Sequence, residues 1–419
     1  MRKVYMMLCS LLLAGSFFLA CGWAGRVRED VTIGGVQVGG MPYAEAEHAV
    51  RNALSVPFVL HTPAGDFTPT LSYSDDVSAL VRRAKKGAVL IPQVRRDWVD
   101  AEDFLEDVCE KCVQTPVDAT LQFTSEGFTY TRERAGRDCD YAASLSAVLE
   151  AVGRGEREAS LVTRVRKPAV TERQLRARTR LLASFTTYFD AAKSARVHNI
   201  SLACGRIAGT VLAPGDTLSF NAVVGERTKA NGFRDAAVIL NGEFVQGTGG
   251  GVCQVSTTLM GAAVRAGLAV SESHPHSLSV GYVPPSQDAM VSRYSDLKLR
   301  NPYAFPVYFL GTTAKDSVTF KVYGAPDGKR YGIESCVLEY VDPPPAEVRE
   351  GEEDKTVRAE KQGLRSESYL VTYAADGSVI SRKLLRRDSY APVQGIYVVK
   401  HAQEGAPGGE GGEEAPPVR

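Results

Sequence analysis

The residues with the clearest chemical potential lie in the stretch GGGVCQVSTT, residues 249–258. Its three consecutive glycines permit positive φ angles and bring backbone N–H groups close to a ligand. Cys253 follows, and the apolar spacing from there to Ala266 predicts a helix, with Gly267 as its stop. The positive end of a helix favours thiolate over thiol, so the stretch predicts a nucleophilic sulfur. The N–H groups of residues 250–253 would stabilise an oxyanion; the alternative is a cysteine buried in a tightly packed glycine loop.

A cysteine nucleophile needs a base, and the candidates near this stretch are His274 and His276. The alternation of Leu278, Val280 and Tyr282 predicts a strand with His276 at its start, and an imidazole at a strand end can point across a cleft. We therefore favour His276 as the base and keep His274 as the second candidate. Simple solvation of a surface imidazole is the alternative for each.

Other polar residues could complete the site. Asp288 and Asp296 could orient an imidazole or bind a substrate amine, although aspartates that cap turns need no function. Arg227 is a candidate carboxylate clamp, because a guanidinium binds a carboxylate through two hydrogen bonds; a structural arginine at a sheet edge is the alternative. Cys253 and the two histidines could instead form a zinc site. The glycine loop is better explained by oxyanion chemistry, so we expect no metal and no cofactor.

The elements that position these residues belong to a chain of ordinary globular composition. Its 419 residues are 44% hydrophobic and 23% charged, enough for two or three domains with real cores. Lys plus Arg and Asp plus Glu both number 49, so the zero formal charge gives no sign of a nucleic-acid partner. Helical and alternating stretches predict a multi-domain α+β fold, with the oligomeric state left open.

The N-terminal residues 1–28 predict export from the cytoplasm, because basic residues precede an apolar run from Met6 to Ala20. Three forms of signal compete. FLAC resembles a lipoprotein box with Cys21 as the lipidated residue, cleavage after Ala24 would release a soluble protein, and an uncleaved run would span a bilayer. We favour membrane attachment by anchor or lipid. Each form places the body of the protein outside the cytoplasm, in the cell envelope.

The remaining cysteines give a weaker signal. Cys109 and Cys112, in CEKC, have the spacing of a redox or zinc motif, but no second CxxC and no histidine pair accompany them. We therefore favour a structural role, either packing or a local disulfide that could include Cys139.

Residues 30–168 resemble the peptidoglycan-binding domain that often precedes catalytic domains of Gram-positive-type wall enzymes. The pattern predicts a helix from about Tyr43 to Leu54, helices near residues 101–113 and 141–152, and two strands around Ser125–Gly127. The resemblance rests on Ile33, Gly34, Val36, Gly39, Gly40, Met41, Pro116, Asp118, Ala119, Gly127, Phe128 and Gly136. A generic α+β spacer domain fits the pattern nearly as well.

Residues 169–184 predict a charged helical connector, and residues 185–324 resemble the VanW-like family. The resemblance rests on GGGVCQVSTT, on ESHPHS at residues 272–277, and on Asn199, Ile200, Ala203, Gly209, Pro214, Gly215, Phe220, Asn221, Gly225, Arg227, Thr228, Gly232, Ala236, Ala237, Tyr282, Val283, Pro284, Asp288, Asp296 and Asn301. Ser273 and Met260 depart from the family, which usually carries Arg and Tyr there. If that Arg binds a substrate carboxylate, this protein must use another cation or bind the carboxylate more weakly.

Residues 330–400 resemble a short version of the glycine-rich surface module called G-five, which often follows VanW-like domains. Here SYLVTYAADGSVISRKLL predicts two strands joined by a turn at Asp376 and Gly377. The resemblance also uses Tyr390, Pro392 and Ile396. The acidic run Glu350–Asp354 predicts a linker, and residues 401–419 predict a disordered tail.

The VanW-like resemblance implies action on peptidoglycan, since some members of the family are implicated as L,D-transpeptidases. Cys253 would attack a diamino-acid carbonyl of a stem peptide, and His276 would act as base and then as acid. The candidate substrate-binding residues are Arg227, Gly249, Gly250, Gly251, Gln254, Ser256, Thr257 and Tyr282. Two alternatives stand beside this interpretation: a non-catalytic wall-binding scaffold linked to glycopeptide resistance, and a cysteine amidase or carboxypeptidase.

Overall fold

The computed structural model of the chain describes residues 25–69, 75–93, 99–240 and 243–400. The predicted signal up to Ala24, with Cys21, and the predicted tail lie outside these residues. None of the helices found within the described ranges has the length and apolarity needed to cross a bilayer. The chain forms two compact units. The first contains the described residues up to Ala119 together with Arg132–Thr171, and the second contains Thr120–Thr131 and the chain from Glu172 onward.

Both units contain helices and strands, which confirms the predicted multi-domain α+β class. The helices are α1 (Tyr43–Ser55), α2 (Val77–Arg83), α3 (Val99–Cys112), α4 (Tyr141–Gly153), α5 (Glu172–Ala177), α6 (Ser194–Ile207), α7 (Phe220–Val224) and α8 (Val252–Arg265). The strands are β1 (Thr32–Ile33), β2 (Val36–Gln37), β3 (Val59–Thr62), β4 (Gly65–Phe67), β5 (Val89–Leu90), β6 (Thr120–Thr124), β7 (Gly127–Thr131), β8 (Gly136–Cys139), β9 (Glu158–Ser160), β10 (Thr163–Arg166), β11 (Arg180–Tyr188), β12 (Thr210–Leu212), β13 (Thr217–Ser219), β14 (Asp235–Leu240), β15 (Glu243–Thr248), β16 (Ala269–Glu272), β17 (Lys298–Arg300), β18 (Val307–Thr313), β19 (Ser317–Gly324), β20 (Arg330–Val341), β21 (Glu347–Gly351), β22 (Lys355–Arg358), β23 (Gly363–Tyr373), β24 (Val379–Tyr390) and β25 (Ile396–Lys400).

The first unit is built from small sheets, in the strand orders β2-β1-β5, β4-β3-β9 and β10-β8, with helices α1 to α4. The predicted helices of this region are confirmed to within two residues at each end. Helix α1 buries Ala46 and Val50. A disulfide joins Cys109 of α3 to Cys139 of β8, and Cys112 is buried beside it in the same core. The structural interpretation of CEKC is therefore confirmed.

The hairpin formed by β6 and β7 belongs to the second unit and not to the first, where the sequence placed it. Phe123 and Phe128 both meet the ring of Tyr308 edge to face, with ring centroids 5.1 Å apart. Edge-to-face aromatic pairs favour this packing beyond the apolar area they bury. The hairpin therefore interrupts the stretch 30–168 that the sequence assigned to one domain.

The predicted connector over 169–184 is only partly helical. Helix α5 has six residues, and the chain then enters β11, an edge strand of the sheet β11-β19-β18-β12. Phe185 pairs with Phe320 across β11 and β19, and Leu182 packs against the core of the second unit. The helical pattern was wrong from Arg180 onward because cross-strand pairing and burial outweigh local helix propensity.

Helix α8 lies at the centre of the second unit. It starts at Val252, directly after the glycines, and ends at Arg265, as predicted. The helix is enclosed on more than one face, because the residues from Gln254 to Val264 are all buried. Small residues permit this enclosure: a Cβ on Gly261 would lie 2.3 Å from the Phe185 ring. The helix that begins at the cysteine is therefore fixed on nearly every side.

Residues 330–400, here called the C-terminal β region, form two three-stranded sheets, β20-β23-β24 and β21-β25-β22. The predicted hairpin is confirmed, with Gly377 at its turn in the left-handed region at φ 89°. The predicted linker at Glu350–Asp354 was partly wrong. Strand β21 includes Glu350 and Gly351 and pairs in parallel with β25, so backbone hydrogen bonds order acidic residues that sequence polarity assigned to a loop.

Candidate active site

Cys253 is the second residue of α8, and the preceding glycines shape the turn before it. Gly249 and Gly251 take φ angles of 92° and 106°, which L side chains rarely adopt. A Cβ on Gly250 would lie 2.5 Å from the carbonyl oxygen of Ala237, so only glycine fits there. The tight turn therefore delivers a thiol to the positive end of a helix, as the sequence predicts.

The turn also leaves backbone donors next to the thiol. In the described part of the chain, the N–H groups of Gly250, Gly251 and Cys253 have no hydrogen-bond partner. The Cys253 side chain is partly exposed, and its Sγ meets the backbone of Val291, 3.4 Å from the carbonyl oxygen and 3.5 Å from the nitrogen. Free donors beside a partly exposed sulfur can hold an oxyanion that forms on attack by that sulfur.

His276 and Asp288 form a buried hydrogen-bonded pair beside the cysteine. The backbone nitrogen and Nδ1 of His276 both lie 2.7 Å from Oδ2 of Asp288. The His276 side chain is 7% exposed and the Asp288 side chain 1%. A carboxylate that accepts from Nδ1–H leaves Nε2 as the nitrogen available to the thiol.

The pKa values of these three groups are coupled. Burial would raise the pKa of Cys253, but His276 and the backbone of Val291 lower it below the usual thiol value. Burial would likewise lower the pKa of His276, but hydrogen bonds with Asp288 and Cys253 raise it to about 9. For Asp288, hydrogen bonds from His276 and Tyr390 outweigh burial and lower the pKa. These shifts favour a thiolate beside an imidazolium over a neutral thiol beside a neutral imidazole.

His274 lies elsewhere. Its Nε2 is 3.0 Å from Oε1 of Glu272, and the side chain is 40% exposed. The predicted strand after His276 does not form: among the described residues, β16 ends at Glu272 and the next strand starts at Lys298. Prolines in HPHSLSVGYVPP remove backbone donors that a ladder needs. The described residues contain no cluster of three or more histidine, cysteine or acidic side chains suited to a metal ion, so the alternative zinc set is not assembled.

Three residues predicted to bind substrate are buried and have hydrogen-bond partners within the protein. The Ser256 hydroxyl donates to the carbonyl of Ala289 at 2.6 Å, and Thr257 accepts from the nitrogen of Ala289 at 2.9 Å. Gln254 donates to the Tyr188 carbonyl at 2.8 Å and accepts from Arg196 at 2.9 Å. Ser256 and Thr257 therefore tie α8 to the segment that carries Asp288 and are not among the residues that line the cleft, whereas Gln254 does line it.

Arg227 and Tyr282 do line a cleft with the thiol. The cleft has a volume of about 1340 Å³, and its lining includes Gly249, Gly250, Gly251, Cys253 and His276. Arg227 donates to Oδ1 of Asn221, and its guanidinium lies 5.8 Å from the Phe220 ring centroid. Burial lowers the pKa of Arg227, but a guanidinium remains charged. Burial and the nearby Cys253 raise the pKa of Tyr282, so its hydroxyl stays protonated.

Asp296, the other acidic candidate, has a structural role. It accepts from the Ser219 hydroxyl at 2.5 Å and from the Asn221 nitrogen at 2.9 Å, at the start of α7. Asn221 in turn accepts from Arg227. Asp296 therefore supports the residue that holds the arginine, and it is not a partner of the imidazole.

Two further residues reach Asp288 from β24, and sequence reasoning did not find them. Oδ1 of Asp288 accepts from the Tyr390 hydroxyl at 2.6 Å and from Nη2 of Arg386 at 3.0 Å. They lie 102 and 98 residues away along the chain. No local motif marks a contact of that span, so the sequence offers no signal for it.

Comparison with known proteins agrees with this arrangement. Residues 195–323 match the family model described as VanW like protein, which includes the glycine turn, Cys253, His276 and Asp288. This part of the chain is a VanW-like domain. Residues 66–160 match the model described as "Putative peptidoglycan binding domain". Both matches confirm the resemblances drawn from the sequence.

Two curated relatives are similar to part of the chain. The uncharacterized protein YoaR of Bacillus subtilis (strain 168) is 40% identical over 148 residues, which cover 35% of this chain and 49% of YoaR. The vancomycin B-type resistance protein VanW of Enterococcus faecalis (strain ATCC 700802 / V583) is 30% identical over 112 residues, 25% of this chain and 41% of that protein. The chain thus spans about half the length, or less, of these relatives.

Two solved G5 domains are also similar to a small part of the chain. One belongs to an IgA1 protease, at 18% identity and a TM-score of 0.13, and covers 18% of this chain and 92% of that domain. The other is HP0197-G5, at 17% identity and a TM-score of 0.11, and covers 17% of this chain and 97% of that domain. At these scores the likeness does not establish a shared fold.

The structure also places the two departures of the VanW-like domain from its family. Ser273 and Met260 line a second cavity of about 240 Å³, apart from the cleft that contains the thiol. The Ser273 hydroxyl accepts from Nη1 of Arg386 at 3.3 Å. A guanidinium therefore does reach the position where the family usually carries Arg, but it comes from the C-terminal β region.

Proposed function

We propose that the protein is a cysteine acyltransferase that acts on peptidoglycan stem peptides, with L,D-transpeptidation as its reaction. The observation that carries this proposal is the thiol, imidazole and carboxylate arrangement of Cys253, His276 and Asp288, which opens onto a large cleft. A nucleophile, a base and an orienting carboxylate in this order are the parts that acyl transfer requires.

In the first step, the Cys253 thiolate attacks the α-carbonyl carbon of the diamino acid in a donor stem. The carbonyl oxygen becomes an oxyanion, which the N–H groups of Gly250, Gly251 and Cys253 stabilise. The tetrahedral intermediate collapses with cleavage of the C–N bond, and the His276 imidazolium gives its proton to the departing D-Ala amine. The product is a thioester on Cys253 and a neutral imidazole.

In the second step, the side-chain amine of a neighbouring stem attacks the thioester. Neutral His276 takes a proton from the attacking amine, a new amide bond forms, and the C–S bond breaks. The thiolate and imidazolium are restored, and the stems carry a 3-3 crosslink. Attack by water instead of the amine gives carboxypeptidase activity from the same acyl enzyme.

The charge of the cleft supports an anionic peptide as substrate. Its lining carries five cationic side chains and two acidic ones: Lys193, Arg196, Arg227, Arg293 and Lys361 against Asp190 and Glu226. Stem peptides end in carboxylates, which guanidinium groups bind through paired hydrogen bonds. Arg227 lies close enough to Cys253 for their charges to interact, so we assign it the carboxylate nearest the reacting carbonyl.

The family matches support a location at the cell wall. The N-terminal match is to a model named for peptidoglycan binding, and one relative is named for vancomycin resistance. We infer that residues 30–168 hold the protein on the wall polymer while the VanW-like domain acts on its stems. Membrane attachment through residues 1–28, by an anchor or a lipid on Cys21, and a role in resistance to glycopeptides complete this proposal.

The test is intact-protein mass after incubation with a disaccharide tetrapeptide or a carbapenem. We expect an adduct on the wild-type protein and none on Cys253→Ala. The matched control is Cys336→Ala, which removes the exposed free thiol of β20 and should leave the adduct unchanged. An adduct that survives in Cys253→Ala, or no adduct while wall binding persists, would favour the non-catalytic scaffold.

Product analysis separates the two enzymatic outcomes. Digested wall material incubated with the protein should gain crosslinked dimers if an amine is the acceptor. New stem termini without dimers would instead identify the protein as a carboxypeptidase or amidase.

A further inference from the structure

We propose that the C-terminal β region completes the active site, with Tyr390 and Arg386 as positioning residues for the Asp288 carboxylate. They do not touch the reacting atoms. They act through Asp288, which orients His276. This inference rests on the proposed acyl transfer, and it gives the region a role in the chemistry of the VanW-like domain.

The first argument is the saturation of Asp288. Its Oδ2 accepts from the nitrogen and Nδ1 of His276, and its Oδ1 accepts from Tyr390 and Arg386. A carboxylate offers about four lone-pair positions, so all of them have donors. Any rotation that breaks the bonds from β24 also breaks the bonds to the histidine. The orientation of His276 therefore depends on residues outside the VanW-like domain.

The second argument is that both donors are themselves fixed. Tyr390 is 1% exposed, and its hydroxyl accepts from the Ser286 nitrogen at 2.8 Å. Arg386 is 14% exposed, and its Nε donates to Oδ2 of Asp388 at 2.7 Å. Its guanidinium thus lies between two buried carboxylates, which balances charges that would be costly alone. Burial and the nearby Asp288 raise the pKa of Tyr390, so its hydroxyl stays a donor.

The third argument is the backbone that leads into Asp288. Ser286 has a φ of 60°, in the left-handed region that non-glycine residues rarely enter. Its hydroxyl meets that of Ser366 at 2.7 Å, and its nitrogen donates to Tyr390. Both partners belong to the C-terminal β region. The region therefore holds the strained turn as well as the carboxylate two residues later.

The test is a double-mutant cycle in the full-length protein, with Tyr390→Phe and Arg386→Gln each made alone and together with Asp288→Asn. The rate of acyl-adduct formation is measured at saturating and at low substrate. We expect each single variant to slow acylation about tenfold, with KM little changed. In the Asp288→Asn background the same changes should cost less than about twofold. Arg382→Gln, an exposed arginine on the same strand paired with Glu334, is the matched control and should not slow acylation.

A second measurement needs no substrate. The rate of Cys253 alkylation by iodoacetamide is followed against pH in a Cys336→Ala background. Without the hydrogen bond from Tyr390, the Asp288 carboxylate is held less firmly against His276 and stabilises the imidazolium less. The pH midpoint of alkylation should therefore be higher for Tyr390→Phe than for the parent protein. If the parent protein forms no acyl adduct, the proposed function fails, and this measurement still tests the coupling.

The proposal is overturned by equal losses in the parent and in the Asp288→Asn background, since a purely structural role gives additive effects. It is also overturned if Tyr390→Phe leaves both the acylation rate and the alkylation midpoint at the parent values. Tyr390→Phe keeps the buried ring, so the proposal can still be tested with this variant if Arg386→Gln does not fold.

Discussion

The two units of the protein place cysteine in opposite settings. In the first unit, Cys109 and Cys139 are joined in a disulfide, and Cys112 is buried among apolar side chains. In the second unit, Cys253 is partly exposed at a helix start, next to an imidazole and within a cleft with cationic walls. The cysteines of the first unit contribute to packing and covalent closure, whereas Cys253 has the surroundings of a nucleophile.

The difference shows that spacing alone is a poor guide to cysteine chemistry. CEKC has the familiar spacing of a redox motif, yet its first cysteine pairs with a residue 30 positions away. Cys253 has no partner cysteine, but His276 and the backbone of Val291 lower its pKa. What distinguishes a reactive thiol is therefore the stabilisation of its thiolate by neighbouring donors and charge.

The largest expected effect comes from replacing one cysteine of each kind with alanine. Cys253→Ala should lower turnover by about 10³-fold or more, because the reaction loses its nucleophile. Cys112→Ala should leave turnover unchanged and lower the free energy of unfolding by about 1 kcal/mol, through lost packing in the first unit. Steady-state kinetics and urea unfolding measure the two outcomes. Comparable loss of turnover in both variants would contradict the distinction between a reactive Cys253 and a structural Cys112.

The next effect concerns the two histidines. His276→Gln should lower turnover by about 10²- to 10⁴-fold, the usual contribution of a general acid–base group. His274→Gln is the matched control, since His274 contacts Glu272 and not the thiol, and it should keep turnover within about twofold. The reverse ranking in single-turnover rates would assign the base to His274.

The pH dependence of the reaction should show the ion pair directly. Because the pKa of Cys253 is lowered and that of His276 is raised to about 9, the active thiolate–imidazolium pair exists between the two values. We expect kcat/KM to rise with pH as the thiol ionises, with a midpoint below the usual thiol pKa of about 8.5. It should fall again as the imidazolium loses its proton, with a midpoint near pH 9. An acidic limb with its midpoint at about pH 8.5 would indicate an ordinary thiol.

The smallest effect on activity is expected in the first unit. Cys109→Ser with Cys139→Ser should lower the stability of that unit by about 2–4 kcal/mol, because the disulfide constrains the unfolded chain. Acylation of Cys253 by a small substrate should stay at the wild-type rate. Thermal unfolding and adduct formation, measured on the same preparation, check both halves. A slower acylation would show that the cysteines of the first unit influence the site.

Local structure was predictable wherever a residue type dictates the backbone. The glycines before α8 and the Asp376–Gly377 turn have few conformational options, and the structure confirms both elements. The strand at β11 was missed because the charged stretch that leads into it favours a helix, whereas pairing with β19, with Phe185 opposite Phe320, orders the segment as a strand. The secondary structure of that segment is set by burial within the sheet, and a local sequence pattern carries no information about that burial.

The site divides in the same way. The thiol at the helix start follows from residues 249–253, but the separation of His276 from His274 depends on the path of a loop without regular structure. Ser256 and Thr257 illustrate the limit most clearly. Their place in the motif suggested substrate contact, whereas their hydroxyls bond to Ala289, a residue about thirty positions away. Arg386 and Tyr390 lie still farther along the chain and have no local signature.

The enclosure of α8 has a consequence for how a substrate meets the thiol. A helix packed against neighbours on almost every side, with Phe185 against Gly261, has no free direction in which to shift or turn. Cys253 is thus a stationary point in the molecule, and approach to reacting distance must come from the bound substrate and from the cationic side chains that line the cleft.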